Sequence, residues 1–215
     1  MKKTLFLICL MFLGSNAFAF DCDSASQCTI IGKKLIDQKE YKSAIECFDS
    51  AIVMDENDEF AYAFRAKAKY FLKDYEGAVS DAEKSLELRK TSYAYNAIAN
   101  VKLINGDFQG AIEDLTNAVE LNPKYMQCYE MRARANVKLE NYVDALKDAG
   151  IAMKLDSEFS QNYEVKAMAE MGLKDYQSAS RDFSIASKMY KAEGNRKAHR
   201  ITKKLAKKCE RKIKW

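Results

Sequence analysis

The sequence predicts an all-α fold: a solenoid of five stacked helix pairs closed by one terminal helix. Three observations predict it. A pattern of small, aromatic and apolar residues returns five times, with spacings of 34, 33, 34 and 34 residues between Ala44, Ala78, Ala111, Ala145 and Ala179. Each repeat holds two runs of about 13 residues with apolar positions at helical spacing, joined by a short polar turn such as Asn105-Gly106-Asp107. The chain has one proline and eight glycines and is rich in Ala, Lys, Glu, Leu and Tyr, a composition that suits helices and disfavours a β-sandwich or a disordered linker.

The first element is a leader. Lys2 and Lys3 form a basic start, Leu5 to Leu13 an apolar stretch, and Ala17-Phe18-Ala19 a small-residue ending. This is the layout of a secretory signal peptide of bacterial type, spanning residues 1–19. As a membrane anchor its apolar run is too short to span ~30 Å of hydrocarbon comfortably. Ala19-Phe20-Asp21 before Cys22 is a poor lipidation signal. The sequence therefore predicts an exported protein, periplasmic or secreted.

The repeats follow. Three residues before each alanine stands an aromatic: Tyr41, Tyr75, Phe108, Tyr142 and Tyr176. Twelve residues before lies a small residue: Gly32, Ala66, Ala99, Ala133 and Ala167. Seven residues after lies another: Ala51, Ser85, Ala118, Ala152 and Ala186. Small residues let two helix axes approach at a crossing, and the aromatic is expected to fill the space they leave. One such pair cannot bury its apolar face alone, so successive pairs must stack.

This pattern resembles the tetratricopeptide repeat family, with small residues at the eighth, twentieth and twenty-seventh positions of a ~34-residue unit and an aromatic at the seventeenth. In that register the units are 25–58, 59–91, 92–125, 126–159 and 160–193, about 169 of the 215 residues. The proline often found near the end of a unit is met only by Pro123; Glu56, Lys90 and Ser157 replace it elsewhere. The resemblance implies a right-handed superhelix whose concave groove, lined by the first helix of each unit, holds a protein or peptide.

By the same resemblance, the groove residues of the middle units include Phe60, Lys67, Tyr70, Phe71, Tyr93, Asn96, Asn100, Arg134 and Lys138. The aromatics offer anchors, the asparagines a grip on a peptide backbone, and the basic side chains a preference for an acidic stretch of partner. The competing reading is that Tyr70, Phe71 and Tyr93 simply pack between units, and for Tyr62 and Tyr95 that reading is preferred. Asn96, Asn100 and Arg134 resemble fragments of the clamp with which some family members hold a chaperone's carboxylate. The rest of that clamp does not line up.

Enzyme readings find no support. His199 stands in a basic helix with no nucleophile or metal-ligand motif around it, no cofactor is implied, and the many carboxylates fit helix surfaces. Beyond the leader, five cysteines remain. Cys22 and Cys28, six apart, are a candidate disulfide; the alternative makes Cys28 a core residue and Cys22 a free thiol. Cys47, Cys128 and Cys209 read as packed thiols, with no metal-site spacing.

The last element differs in charge. Residues 188–215 hold twelve Lys or Arg against Glu193 and Glu210, a net +10, whereas residues 20–187 carry −8. Ala198, Ile201, Leu205, Cys209 and Ile213 make a narrow apolar stripe. Residues 194–215 thus predict a capping helix over the open face of the last repeat. Its basic face is the alternative seat of function, docking to an anionic membrane surface or polymer; no nucleic acid is expected for an exported protein. Cleavage after Ala19 should leave Phe20 as the first residue, which mass spectrometry of the native N-terminus checks; retained Met1 or a lipid on Cys22 would overturn it.

Overall fold

In the computed structural model, residues 22–213 are described; the leader expected over residues 1–19 lies outside them, as do residues 214–215. Among the described residues there are eleven helices and no strand. The helices pair as α1 (Ala25–Asp37) with α2 (Tyr41–Met54), α3 (Glu59–Phe71) with α4 (Tyr75–Leu88), and α5 (Ser92–Asn105) with α6 (Phe108–Leu121). They continue as α7 (Met126–Lys138) with α8 (Tyr142–Leu155) and α9 (Ser160–Gly172) with α10 (Tyr176–Ala192), followed by α11 (Arg196–Ile213). Each helix packs on the next in sequence, and first helices also touch each other (α1 on α3, α3 on α5, α7 on α9). The chain is therefore a helical solenoid with the first helices along one wall.

Local chemistry sets the helix ends. The carboxylates of Asp74, Asp107 and Asp175 accept from the N–H groups of Gly77 (3.0 Å), Gly110 (2.9 Å) and Ser178 (3.0 Å), capping α4, α6 and α10. The residue before each of these caps has a positive φ: Lys73 (67°), Gly106 (81°) and Lys174 (65°), with Lys39 and Glu140 alike in the other two pairs. Only the third pair uses glycine, which adopts this conformation without steric cost.

At the crossings, Ala44, Ala78, Ala111, Ala145 and Ala179 have no exposed surface, nor do Ala66, Ala99, Ala133, Ala167 and the later small residues Ala51, Ser85, Ala118, Ala152 and Ala186. Gly32 shows how little room there is: a Cβ there would lie 2.5 Å from the Phe48 ring. The aromatic after the turn packs beside the crossing, as the sequence predicts: Tyr41 lies against the cluster that holds Ala44, and Tyr176 against that of Ala167 and Ala179. In two units it also reaches the next one: Tyr41 stacks on Phe71 with centroids 4.6 Å apart, and Tyr142 covers Gly172.

A recurring ion pair was not foreseen. Arg65 holds Asp81 through two bonds of 2.8 and 2.7 Å and also reaches Asp49 of the preceding unit at 2.6 Å. Arg132 repeats the arrangement with Asp148 (2.8 and 2.7 Å) and with Thr116 of the preceding unit (3.0 Å). Lys166 pairs with Asp182 in the fifth unit. In the first unit the same two positions are Ile31 and Cys47, an apolar substitute.

The cap also departs from its expected face. α11 lays Thr202, Ala206 and Cys209 on α10, while Ile201 (45 % exposed) and Ile213 (50 % exposed) point away. The smaller face permits a closer approach to Phe183 and Ala179. His199 fixes the crossing: its Nδ1–H donates to the Ser187 carbonyl at 2.8 Å, and the Ser187 hydroxyl donates to the His199 carbonyl at 3.1 Å. Ala111→Leu should overpack the α5–α6 crossing and cost about 1–3 kcal/mol in urea unfolding, with an unchanged far-ultraviolet helical signal at low denaturant; a variant as stable as the parent would overturn this packing.

Candidate functional site

The wall of first helices carries two aromatic clusters at opposite ends of α3. Phe60, Phe64, Tyr93 and Tyr125 form a line: Phe60–Tyr93 centroids are 6.1 Å apart, Phe64–Tyr93 4.7 Å and Tyr93–Tyr125 5.4 Å. The line runs from the second unit into the third because each ring leans on the next. Lys33 lies 5.6 Å over the Phe64 ring and Arg89 5.1 Å over Phe60. A hollow of about 470 Å³ opens here, lined in part by Thr29, Ile30, Lys33, Phe60, Phe64 and Tyr93. At the other end Tyr70 and Phe71 meet at 5.4 Å, with Tyr41 stacked on Phe71 and Tyr75 beside Tyr70 at 5.9 Å. Phe71 remains 44 % exposed.

Lys67 stands on α3 between the clusters, half-buried and in no ion pair among the described residues. Burial lowers its pKa; Lys33 adds to the lowering and Asp37 opposes it. Lys138, exposed at the end of α7, is likewise outside any ion pair among the described residues. Arg134 is engaged: its Nε donates to Glu130 Oε1 at 3.0 Å.

Asn96 requires a correction. It is 5 % exposed, and its amide donates to Cys128 Sγ and Met131 Sδ, both at 3.4 Å, while its Oδ1 accepts from the Tyr125 hydroxyl. These side-chain bonds from α5 to α7 make it part of the unit interface, out of reach of a peptide backbone. Asn100 turns its amide onto Asn96, donating to the backbone carbonyl at 2.8 Å and to Oδ1 at 3.2 Å. Its own Oδ1 has no intramolecular partner among these bonds.

Tyr125 and Phe64 were missed as members of the aromatic line. Phe64 belongs to the apolar stripe of α3, and Tyr125 is the last residue of its unit, so neither occupied a groove position in the repeat register. Only the rule that exposed-reading aromatics cluster could have suggested them.

The cysteines divide cleanly. Cys22 and Cys28 form a disulfide with Cα atoms 5.4 Å apart, stapling the start of α1. Cys47, Cys128 and Cys209 are free and buried. Burial pushes the Cys47 thiol up to about 11, with Glu46 adding to it, and Cys128 up to about 12 against the opposing pull of Asn96. Both stay protonated and unreactive at neutral pH. Among the described residues no group of three His, Cys, Asp or Glu side chains is placed to hold a metal ion, and no helix is long and apolar enough to cross a membrane.

Fold and groove together define a helical-repeat protein of the kind that presents an extended wall. Residues 96–153, from α5 to α8, match the tetratricopeptide repeat family model. The match covers these residues alone; the same residue pattern runs through all five helix pairs, which build the solenoid fold of tetratricopeptide repeat proteins. A 58-residue stretch, 27 % of this chain, is 36 % identical to the protein STIP1 homolog of Dictyostelium discoideum and spans 10 % of that relative's length. Among solved structures, TTC0263, a thermophilic tetratricopeptide protein of Thermus thermophilus, superposes with a TM-score of 0.66 at 14 % identity, over 89 % of this chain and 100 % of that one. PilW, described as a type IV pilus biogenesis factor, gives 0.66 at 15 % identity, over 83 % and 90 %. YrrB, described as having an unusual peptide-binding site, gives 0.61 at 16 % identity, over 84 % and 92 %. At these identities the likeness is one of fold.

The two clusters should separate on substitution. Tyr93→Ala removes the centre of the aromatic line and should cost about 1–3 kcal/mol in urea unfolding, whereas Phe71→Ala, already exposed on one face, should cost less than about 1 kcal/mol. Equal costs would show that both clusters serve packing alone.

Proposed function

We propose that this protein is a non-catalytic scaffold that holds a protein or peptide segment along the wall formed by α3, α5 and α7. The observation that carries this is Lys67, half-buried, in no ion pair among the described residues, and flanked by the exposed Phe71 edge and the Phe60–Tyr93–Tyr125 line. A cation left without a partner in a partly desolvated wall favours a carboxylate from outside, and aromatic faces on either side offer buried area at low entropic cost. Lys33 and Lys138 extend the same preference, so the segment bound is acidic with apolar or aromatic side chains. YrrB's described peptide site indicates that a solenoid of this fold can hold a peptide.

We further propose that the scaffold works in the cell envelope or outside the cell. The signal-like leader supports that reading, and so does the Cys22–Cys28 disulfide, a bond that persists in oxidising compartments.

Selection from a displayed peptide library on the purified protein, followed by anisotropy titration of the enriched peptides, tests the groove. Acidic sequences with apolar residues are expected. Tyr70→Ala with Phe71→Ala, and separately Lys67→Glu, should each weaken binding about tenfold or more with the helical signal unchanged. Full affinity in both variants would reject the groove as the site.

A further inference from the structure

The cations of α11 are unlike those of the repeats. Within the solenoid Arg65, Arg132 and Lys166 are each matched to a buried aspartate. On α11, Arg200, Lys203, Lys204, Lys207, Lys208 and Arg211 are in no ion pair among the described residues. At helical spacing these six fall within an arc of roughly 140°, on the side opposite Thr202, Ala206 and Cys209, which rest on α10. Along one edge of the arc Ile201 is 45 % exposed, and Leu205, one turn later, is half-buried, with part of its side chain packed against the Phe183–Cys209 cluster. Together with the cations they line a shallow hollow of about 860 Å³.

We infer that α11 docks the protein on an anionic lipid surface, lying flat against it. From Arg200 to Arg211 the helix spreads these charges over roughly 17 Å, and a single outward arc lets a plane meet all of them at once. The apolar edge gives Ile201 and Leu205 a place at the boundary between headgroups and acyl chains, while the lysine stems bury alongside them and keep their ammonium groups at the phosphates. A nucleic acid would use the same charge and leave the apolar edge exposed. A second copy of the chain is the poorer fit despite its net negative repeats: many of their carboxylates are already committed, Asp74, Asp107 and Asp175 to helix caps and Asp81, Asp148 and Asp182 to ion pairs. Since α11 packs on α10, beyond the last unit, docking leaves the α3–α7 wall open.

Flotation of the purified protein with phosphatidylcholine vesicles, with and without phosphatidylglycerol, tests this. Binding is expected only with the anionic lipid, and should fall about tenfold or more at high salt as the charges are screened. Reversal of Lys203, Lys204, Lys207 and Lys208 to Glu should abolish it, and Lys204→Gln with Lys208→Gln should weaken it in part. Ile201→Ser, at the exposed apolar edge, should weaken vesicle binding but not duplex DNA binding. Each variant should melt like the parent and keep the groove's peptide affinity, so failure here is distinct from failure of the groove reading. Absence of binding to anionic vesicles, stronger binding to duplex DNA, salt-sensitive self-association in place of vesicle binding, or indifference to the Ile201 change would each overturn the inference.

Discussion

Two helices approach closely only where the residues facing each other are small, and this solenoid depends on that constraint at every crossing. The alanines of the repeat are fully buried, and Gly32 has no room for even a methyl group against Phe48. Helices this close leave the larger side chains nowhere to go but sideways. Hence Tyr41 and Tyr142 reach into the next unit, and the same residues that make a pair compact also make it incomplete alone. The two ends of the stack must then be closed by other means. A disulfide staples the start of α1, and α11 covers the last pair through Thr202, Ala206 and Cys209.

The ion pairs set the stack's register. Taking Arg65 and Asp81 out of water is costly, and such a pair adds little net stability over an apolar substitute. Ile31 and Cys47 in the first unit are such a substitute, which indicates that the fold does not need charge there. What the guanidinium adds is direction. Arg65 reaches both its own unit's Asp81 and the preceding unit's Asp49, and Arg132 does the same with Asp148 and Thr116. A stack shifted by one turn would strand these groups without partners.

This pairing gives the remaining free cations their meaning. Arg134 is held by Glu130, and Lys102 by Asp114 at 2.8 Å. Lys67 on the inner wall and the outward arc of α11 are in no ion pair among the described residues, and their neighbours differ. The first lies between aromatic rings in a partly desolvated wall. The second is solvated, extended and bordered by two aliphatic side chains. One surface suits a segment of chain and the other a plane.

The sequence by itself determined the helix pairs, their number and the crossings, because a repeat samples the same packing problem five times and the small residues recur where it is solved. It also singled out the aromatic and basic residues of the inner wall and the opposite charge of the last helix. It could not show that Asn96 turns away from the groove to satisfy Cys128 and Tyr125, or that Tyr125 and Phe64 join Phe60 and Tyr93. Those contacts join different helices across the stack, and their distances depend on how far one pair is rotated on the next. The rotation of α11 was hidden for the same reason. Ile201 and Ile213 looked buried by periodicity, and only the fit of small residues against Phe183 and Ala179 turned them outward.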